Sequence, residues 1–245
     1  MMDSSPLKST PAPETKEVMT NLPQPKLKVF TDRNRTNFLK VPEQKLLAIL
    51  CEMMPQWVTP DFLTFVGMVG SVLVMVGFFL ARSNDYYFLL SILGFCINWF
   101  GDSLDGRIAY FRKKPRKWYG FSLDLNMDFI SVVMMGCGFY YYLSAPYNVF
   151  AFAVVILYNW TMIMSLMKYK IVDVFMIDSA YLGPTEFRII LILVLIGEML
   201  LRGTAGYFTI VVSAVLFIIN VKDFFRLQKL GTKRDEEDKA NKLLS

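Results

Sequence analysis

Asp102-Ser103-Leu104-Asp105-Gly106-Arg107-Ile108-Ala109, then a basic run, then Gly120-Phe121-Ser122-Leu123-Asp124-Leu125-Asn126-Met127-Asp128: this stretch decides the fold. Four carboxylates sit here between long apolar segments. One Asp at the centre of a spanning helix already costs roughly 2.5–3.5 kcal/mol, so four of them require a reason. Asp102, Asp105, Gly106 and Ala109 fall at i, i+3, i+4 and i+7, which predicts a single helix face. Gly120, Asp124 and Asp128 fall at i, i+4 and i+8, again one face. The linker from Arg112 to Tyr119 is short, which predicts that the two helices are antiparallel neighbours. Their stripes then face each other and the four acids converge.

Four unpaired anions do not share a small volume. Either some are protonated or cations sit among them. The chain has no His, and no Cys lies near the stretch. Oxygen-only ligands favour a hard divalent ion, Mg²⁺ or Mn²⁺. An ion held by carboxylates and water commonly serves phosphate chemistry. The small residues Gly106, Ala109 and Gly120 let a ligand or a facing helix come close.

These residues resemble the signature of the CDP-alcohol phosphotransferase (CDP-alcohol phosphatidyltransferase class-I) family. That signature reads D-x2-D-G-x2-A-R, a spacer of about eight residues, then G-x3-D-x3-D. All four acids, both glycines and the alanine match in order. Tyr110 stands where the family usually has Arg, and the spacer, Phe111 to Tyr119, is one residue longer. The resemblance covers roughly residues 55 to 225. It implies transfer of a substituted phosphate from a CDP-linked donor to an alcohol, with release of CMP. It implies metal ligation by Asp102, Asp105, Asp124 and Asp128, with two Mg²⁺ (or Mn²⁺) ions. Asp128 is then the catalytic base toward the acceptor hydroxyl. Gly106 and Ala109 leave room for the cytidine, and Gly120 for the ribose or a phosphate. Dimerisation through the spans is a family expectation.

Composition fits a multispanning membrane protein. Hydrophobic residues make up 54% of 245 residues and the mean hydropathy is +0.40, too apolar for an ordinary soluble domain of this length. A net charge of +5 suits a face apposed to anionic lipid. No interleaving of aromatic and basic residues suggests nucleic acid. Cys51, Cys96 and Cys137 are far apart in apolar context and read as small core residues.

The expected fold class is an all-α integral membrane protein of six transmembrane helices plus an N-terminal interfacial amphipathic helix. Residues 1–40 carry five prolines and no helical period, and read as a flexible cytosolic tail. Residues 41–56 hold the amphipathic helix: Leu46, Ile49, Leu50 and Met53 form one face, with Glu43, Gln44, Lys45 and Glu52 largely opposite. Residues 57–228 form the six-helix domain and 229–245 a charged cytosolic tail. The expected spans run roughly 58–80, 86–110, 121–143, 149–167, up to 201 from Pro184, and from Tyr207 to Val221 or a little beyond. Five basic residues in Arg112–Lys117 mark a cytosolic loop, and the opposite loops hold only Arg82 and Arg202 as basic residues. Both termini are therefore expected in the cytosol, at the cell (inner) membrane if the chain is bacterial. The basic loop also suits an anionic nucleotide or headgroup, which makes Arg112 a candidate phosphate contact.

Thr59-Pro60-Asp61-Phe62-Leu63-Thr64 opens the first span. By resemblance Asp61 and Thr64 belong to the nucleotide end of the site; a plain helix cap explains them equally well. Pro184 and Thr185 suit a helix start, with Glu186 and Arg188 following. Arg188 and Glu186 are candidate acceptor or phosphate contacts, or Arg188 is a headgroup anchor. Lys168 and Asp173 are weaker acceptor candidates. The donor stays open. CDP-diacylglycerol fits the six-span form, whereas the Gly183–Glu186 run and the long spacer look closer to the CDP-choline or CDP-ethanolamine branch, which acts on diacylglycerol. The rival of another class is an ion-coupled transporter using the intramembrane acids. No broken-helix pair or inverted repeat supports it.

Overall fold

A computed structural model describes residues 40–172 and 184–244. The N-terminal tail, Asp173 and the approach to Pro184 lie outside the described residues. Those described are all-helical. The helices are α1 (Lys40–Met53), α2 (Pro60–Ala81), α3 (Phe88–Phe111), α4 (Lys117–Tyr142), α5 (Tyr147–Val172), α6 (Pro184–Leu200) and α7 (Thr204–Leu244), with a 3₁₀ turn at Asp85–Tyr87 before α3.

Local sequence sets the helix starts. Thr59 caps α2, its hydroxyl accepting from the Phe62 amide at 3.1 Å. Pro60 occupies the first helical position, where its missing N–H leaves no bond unmade. Asn84 caps the 3₁₀ turn by accepting from the Tyr86 amide at 3.0 Å.

α2 and α3 form the tightest pair in the bundle. Their seam is built from small residues, so the two backbones approach to contact. A methyl added to Gly94 would lie 2.7 Å from the Gly70 carbonyl oxygen. Close approach of this kind is the main source of helix association where lipid removes the hydrophobic drive. On another side α2 packs against α4, with Gly138 of α4 against the Met75 backbone. α5 and α7 pair through polar bonds: Thr161 donates to Asn220 Oδ1 at 2.9 Å, and Asn220 Nδ2 donates to the Leu157 carbonyl at 2.8 Å. Glu198 closes the opposite end of the bundle, accepting from Tyr142 (2.7 Å), Gly203 N (2.9 Å), Thr204 (2.9 Å) and Ala205 N (2.7 Å).

The expected side-by-side packing of α3 and α4 is not what forms. α2 lies against both, while α3 and α4 scarcely meet backbone to backbone. The glycine seam binds α3 to α2 more closely than larger residues could.

Among the described residues, four helical segments are long and apolar enough to cross a membrane: Pro60–Ala81, Asp85–Phe111, Tyr147–Ile171 and Thr204–Asn241. α4 and α6 are not among them. α6 has 17 residues, and Asp124, Asn126, Asp128 and three terminal tyrosines dilute the apolar character of α4. α7 has 41 residues, which at 1.5 Å per residue is about 60 Å, twice the thickness of a hydrocarbon core. Its helix therefore continues well past Val221. The extension carries i,i+4 ion pairs, Lys233–Glu237 and Arg234–Asp238, that suit an exposed helix.

α1 docks differently from its expected pattern. Leu47 and Cys51 are buried against Leu63, Leu104 and Ile108. Glu43, expected on the polar face, is buried and pairs with Arg107 at 3.5 Å. Leu46, Ile49 and Met53 point outward with Val41. Arg112 anchors the following loop: its guanidinium donates to the carbonyls of Met54, Pro55, Gln56 and Val58. Of the cysteines expected in the core, only Cys51 is there; Cys96 and Cys137 are exposed, on helix faces turned away from the bundle.

Candidate metal centre

Three helices each present one face to a common cavity, and on each the spacing is that of successive turns. α2 supplies Thr64, Gly67 and Met68; α3 supplies Asn98, Asp102 and Asp105; α4 supplies Asp124, Met127, Asp128 and Ser131. The cavity occupies the gap that keeps α3 from α4. Gly67 forms part of its α2 wall.

Asp102, Asp124 and Asp128 each offer an oxygen within 4.8 Å of the others. Two unit charges at that separation repel by on the order of 3 kcal/mol at an effective dielectric near 20. Asp105 lines the same cavity but is held to one side. Thr64 Oγ1 donates to its Oδ2 at 2.7 Å, and the Gly106 amide donates to its Oδ1. Arg188 answers part of the charge: its Nη2 lies 2.7 Å from Asp102 Oδ2. One guanidinium does not balance this many carboxylates, and the donor set is oxygen throughout. The residues present therefore fit a hard divalent cation.

Below the acids runs a polar network. Asn98 Nδ2 donates to the Gly67 carbonyl at 3.2 Å and to Ser71 Oγ at 3.1 Å. Ser71 donates to Ser131 Oγ at 2.9 Å, and Ser131 donates to Met68 Sδ at 3.3 Å. Asn98 Oδ1 is buried with no hydrogen-bond partner.

The other sequence candidates are placed as follows. Asp61 forms an ion pair with Arg116, whose guanidinium lies 4.3 Å from the Tyr119 ring centroid. Gly106 and Gly120 face open space, and a Cβ on either would meet nothing within 4 Å. Ala109 and Lys168 are half-buried, and Glu186 is buried in the first turn of α6. Arg112 is directed at the α1–α2 loop and away from the cavity.

The residue pattern alone does not single out Asn98, Ser71, Ser131 or Tyr158. The first three continue the same stripes: Asn98 is one turn before Asp102, Ser131 one turn after Asp128, and Ser71 one turn after Gly67. Extending each stripe by a turn finds them. Tyr158 of α5 stacks on Phe187 at 5.5 Å and lies within the electrostatic reach of Asp102, Asp128 and Arg188. No local signal marks it, because α5 and α6 meet only in the folded chain.

Membrane-compatible helices around an acid-lined, oxygen-only cavity define an integral membrane protein with a candidate divalent-cation centre. A family model described as CDP-alcohol phosphatidyltransferase matches residues 57–220. The chain belongs to that family, whose members are phosphotransferases of phospholipid biosynthesis that transfer a phosphate group from a CDP-alcohol to an acceptor. Comparisons with curated proteins and with solved structures gave no match.

Proposed function

We propose that this protein transfers a phosphatidyl group from CDP-diacylglycerol to a polar acceptor alcohol, releasing CMP. The observation that carries the reading is the convergence of Asp102 with Asp124 and Asp128 within 4.8 Å, from two helices whose backbones scarcely meet. A gap of that kind suits a ligand. Gly106 and Gly120 add to it. Nothing in the chain's own packing requires glycine at either position, so close approach of a nucleotide is the better reason for them.

In this reading Asp102, Asp105, Asp124 and Asp128 hold two Mg²⁺ or Mn²⁺ ions. Bound there, such ions neutralise charge on the pyrophosphate and on the departing CMP. The chain's own residues do the rest. Asp128 accepts the proton of the acceptor hydroxyl, whose oxygen attacks the phosphorus as the bond to the CMP oxygen breaks. Thr64 holds Asp105 in place. Gly106, Ala109 and Gly120, with Asp61 at the entrance, leave room for the cytidine and its ribose. Arg188, with Glu186 in the same turn, orients the phosphate or acceptor, and Lys168 of α5 is a further acceptor contact.

The architecture that goes with this reading has six spans, α2 to α7, both termini in the cytosol and a homodimeric assembly. The outward Leu46, Ile49 and Met53 of α1 rest in the headgroup layer. A CDP-choline or CDP-ethanolamine donor acting on diacylglycerol is the alternative, favoured by the Gly183–Glu186 run.

CMP release by purified protein in detergent tests the reading. CDP-diacylglycerol is offered with pooled polar alcohols, then CDP-choline or CDP-ethanolamine with diacylglycerol, each with Mg²⁺, Mn²⁺ or chelator. The productive pool names the donor. No CMP from any pool, together with no CDP binding, overturns the enzyme assignment and favours ion transport by the acid cluster.

A further inference from the structure

Asn98 is the most fully buried polar side chain in the wall of the cavity, 4% exposed. Its amide nitrogen is committed to the Gly67 carbonyl and Ser71 Oγ, both on α2. Those two acceptors fix which end of the amide is which, because Oδ1 in that place would face the Gly67 carbonyl oxygen, which cannot donate. Oδ1 is therefore left as a buried acceptor without a donor. An acceptor in that state costs roughly 1–3 kcal/mol, so a donor is expected. No side chain among its described contacts supplies one. What remains is a donor inside the cavity. An ionised carboxylate cannot provide it, and a water bound to a divalent ion can; its protons are more acidic than those of bulk water.

We infer that Asn98 is a positioning residue of the cation centre, its Oδ1 accepting from a water carried by the ion that Asp102, Asp124 and Asp128 hold. The inference rests on the divalent-ion reading of those acids. Its consequence is that α2 takes part in metal binding without giving a ligand. Ser71 and Gly67 orient Asn98, Asn98 orients the water, and the water fixes the ion against α3 and α4. Outer contacts of this kind commonly change metal affinity by about 10- to 100-fold.

The test is Mn²⁺ affinity, measured by electron paramagnetic resonance on purified protein in detergent. The unsubstituted chain is compared with Asn98→Leu, which keeps the volume and removes the acceptor. Thermal midpoints in chelator report on folding without metal. The expected result is at least tenfold weaker Mn²⁺ binding by Asn98→Leu. Ser71→Ala keeps Oδ1 and removes one of the two acceptors that hold Nδ2, and is expected to weaken binding about threefold. It decides the matter if Asn98→Leu does not fold. Mn²⁺ binding by the unsubstituted chain with unchanged affinity in the folded variants overturns the role of Asn98 and leaves the proposed function standing. Failure of the unsubstituted chain to bind Mn²⁺ overturns the metal reading itself, and the inference with it.

Discussion

Arg188 Nη2 lies 2.7 Å from Asp102 Oδ2, joining the first turns of α6 to the acid stripe of α3. The two side chains are only 15% and 22% exposed. Removing one partner of such a pair leaves the other charge poorly solvated. Arg188→Gln is therefore expected to lower stability by roughly 3 kcal/mol in chelator, the low end for a buried pair. Added Mn²⁺ should recover part of the loss, because the ion takes over neutralisation of Asp102. A thermal melt with and without Mn²⁺ checks this. Equal losses in both conditions would show that the pair acts only as a brace between helices.

Asp128→Asn keeps the shape of the side chain and removes its basicity. The expected outcome is a loss of CMP release of at least about 10²-fold, the lower end of what a positioned base contributes. CDP binding in the presence of Mg²⁺ should fall much less, since Asp102, Asp105 and Asp124 remain. Initial rates and equilibrium binding on the same preparation separate the two effects.

The glycines divide into two groups with opposite expectations. Gly106→Ala and Gly120→Ala meet no protein atom. They should leave stability unchanged or raise it, by up to about 1 kcal/mol for a helix-interior position. Their CDP affinity should fall about tenfold if the nucleotide uses that space. Gly101→Ala runs into the backbone of Leu63 and Gly67. It should destabilise by roughly 1–3 kcal/mol through overpacking of the α2–α3 seam. Melting curves and CDP titrations of the three variants test both halves.

Glu198 accepts four hydrogen bonds from Tyr142, Gly203, Thr204 and Ala205 at the far end of the bundle. Glu198→Ala strands several donors and should cost about 3 kcal/mol. Because the cluster is remote from the acids, CDP affinity of the folded fraction should stay the same. A changed affinity would mean that the two ends of the bundle are coupled.

Cys51 reports on the docking of α1. Burial pushes its thiol up from the ordinary value, outweighing the opposing charges of Arg107 and Arg112. Only the thiolate is nucleophilic, so alkylation at neutral pH should be slow in the folded protein and quicken as pH rises. Glu43→Gln removes the partner of Arg107 and should speed labelling if that pair holds α1 down. Mass spectrometry after timed N-ethylmaleimide treatment reads this directly.

The stripes of acids and small residues were legible in the chain because helical spacing is a local property. Positions i, i+4 and i+7 share a face whatever the helix packs against. That was enough to place most of the helices, though not the end of α7, and for the acid cluster and the family resemblance. The sequence by itself also determined the membrane character, through length and hydropathy, and the start of α2, through Thr59 and Pro60. Which helices touch is not local. The short loop between α3 and α4 suggested a direct pair, yet the glycine seam draws α2 between their claims and leaves a gap where the acids meet. The tertiary structure alone decided that Arg112 holds a loop, that Arg188 reaches Asp102, and that Glu43 turns inward to Arg107. It alone brought Tyr158 to the site. These contacts depend on packing distances between elements far apart in the chain, and those distances are set by side-chain volume and charge balance in the assembled bundle.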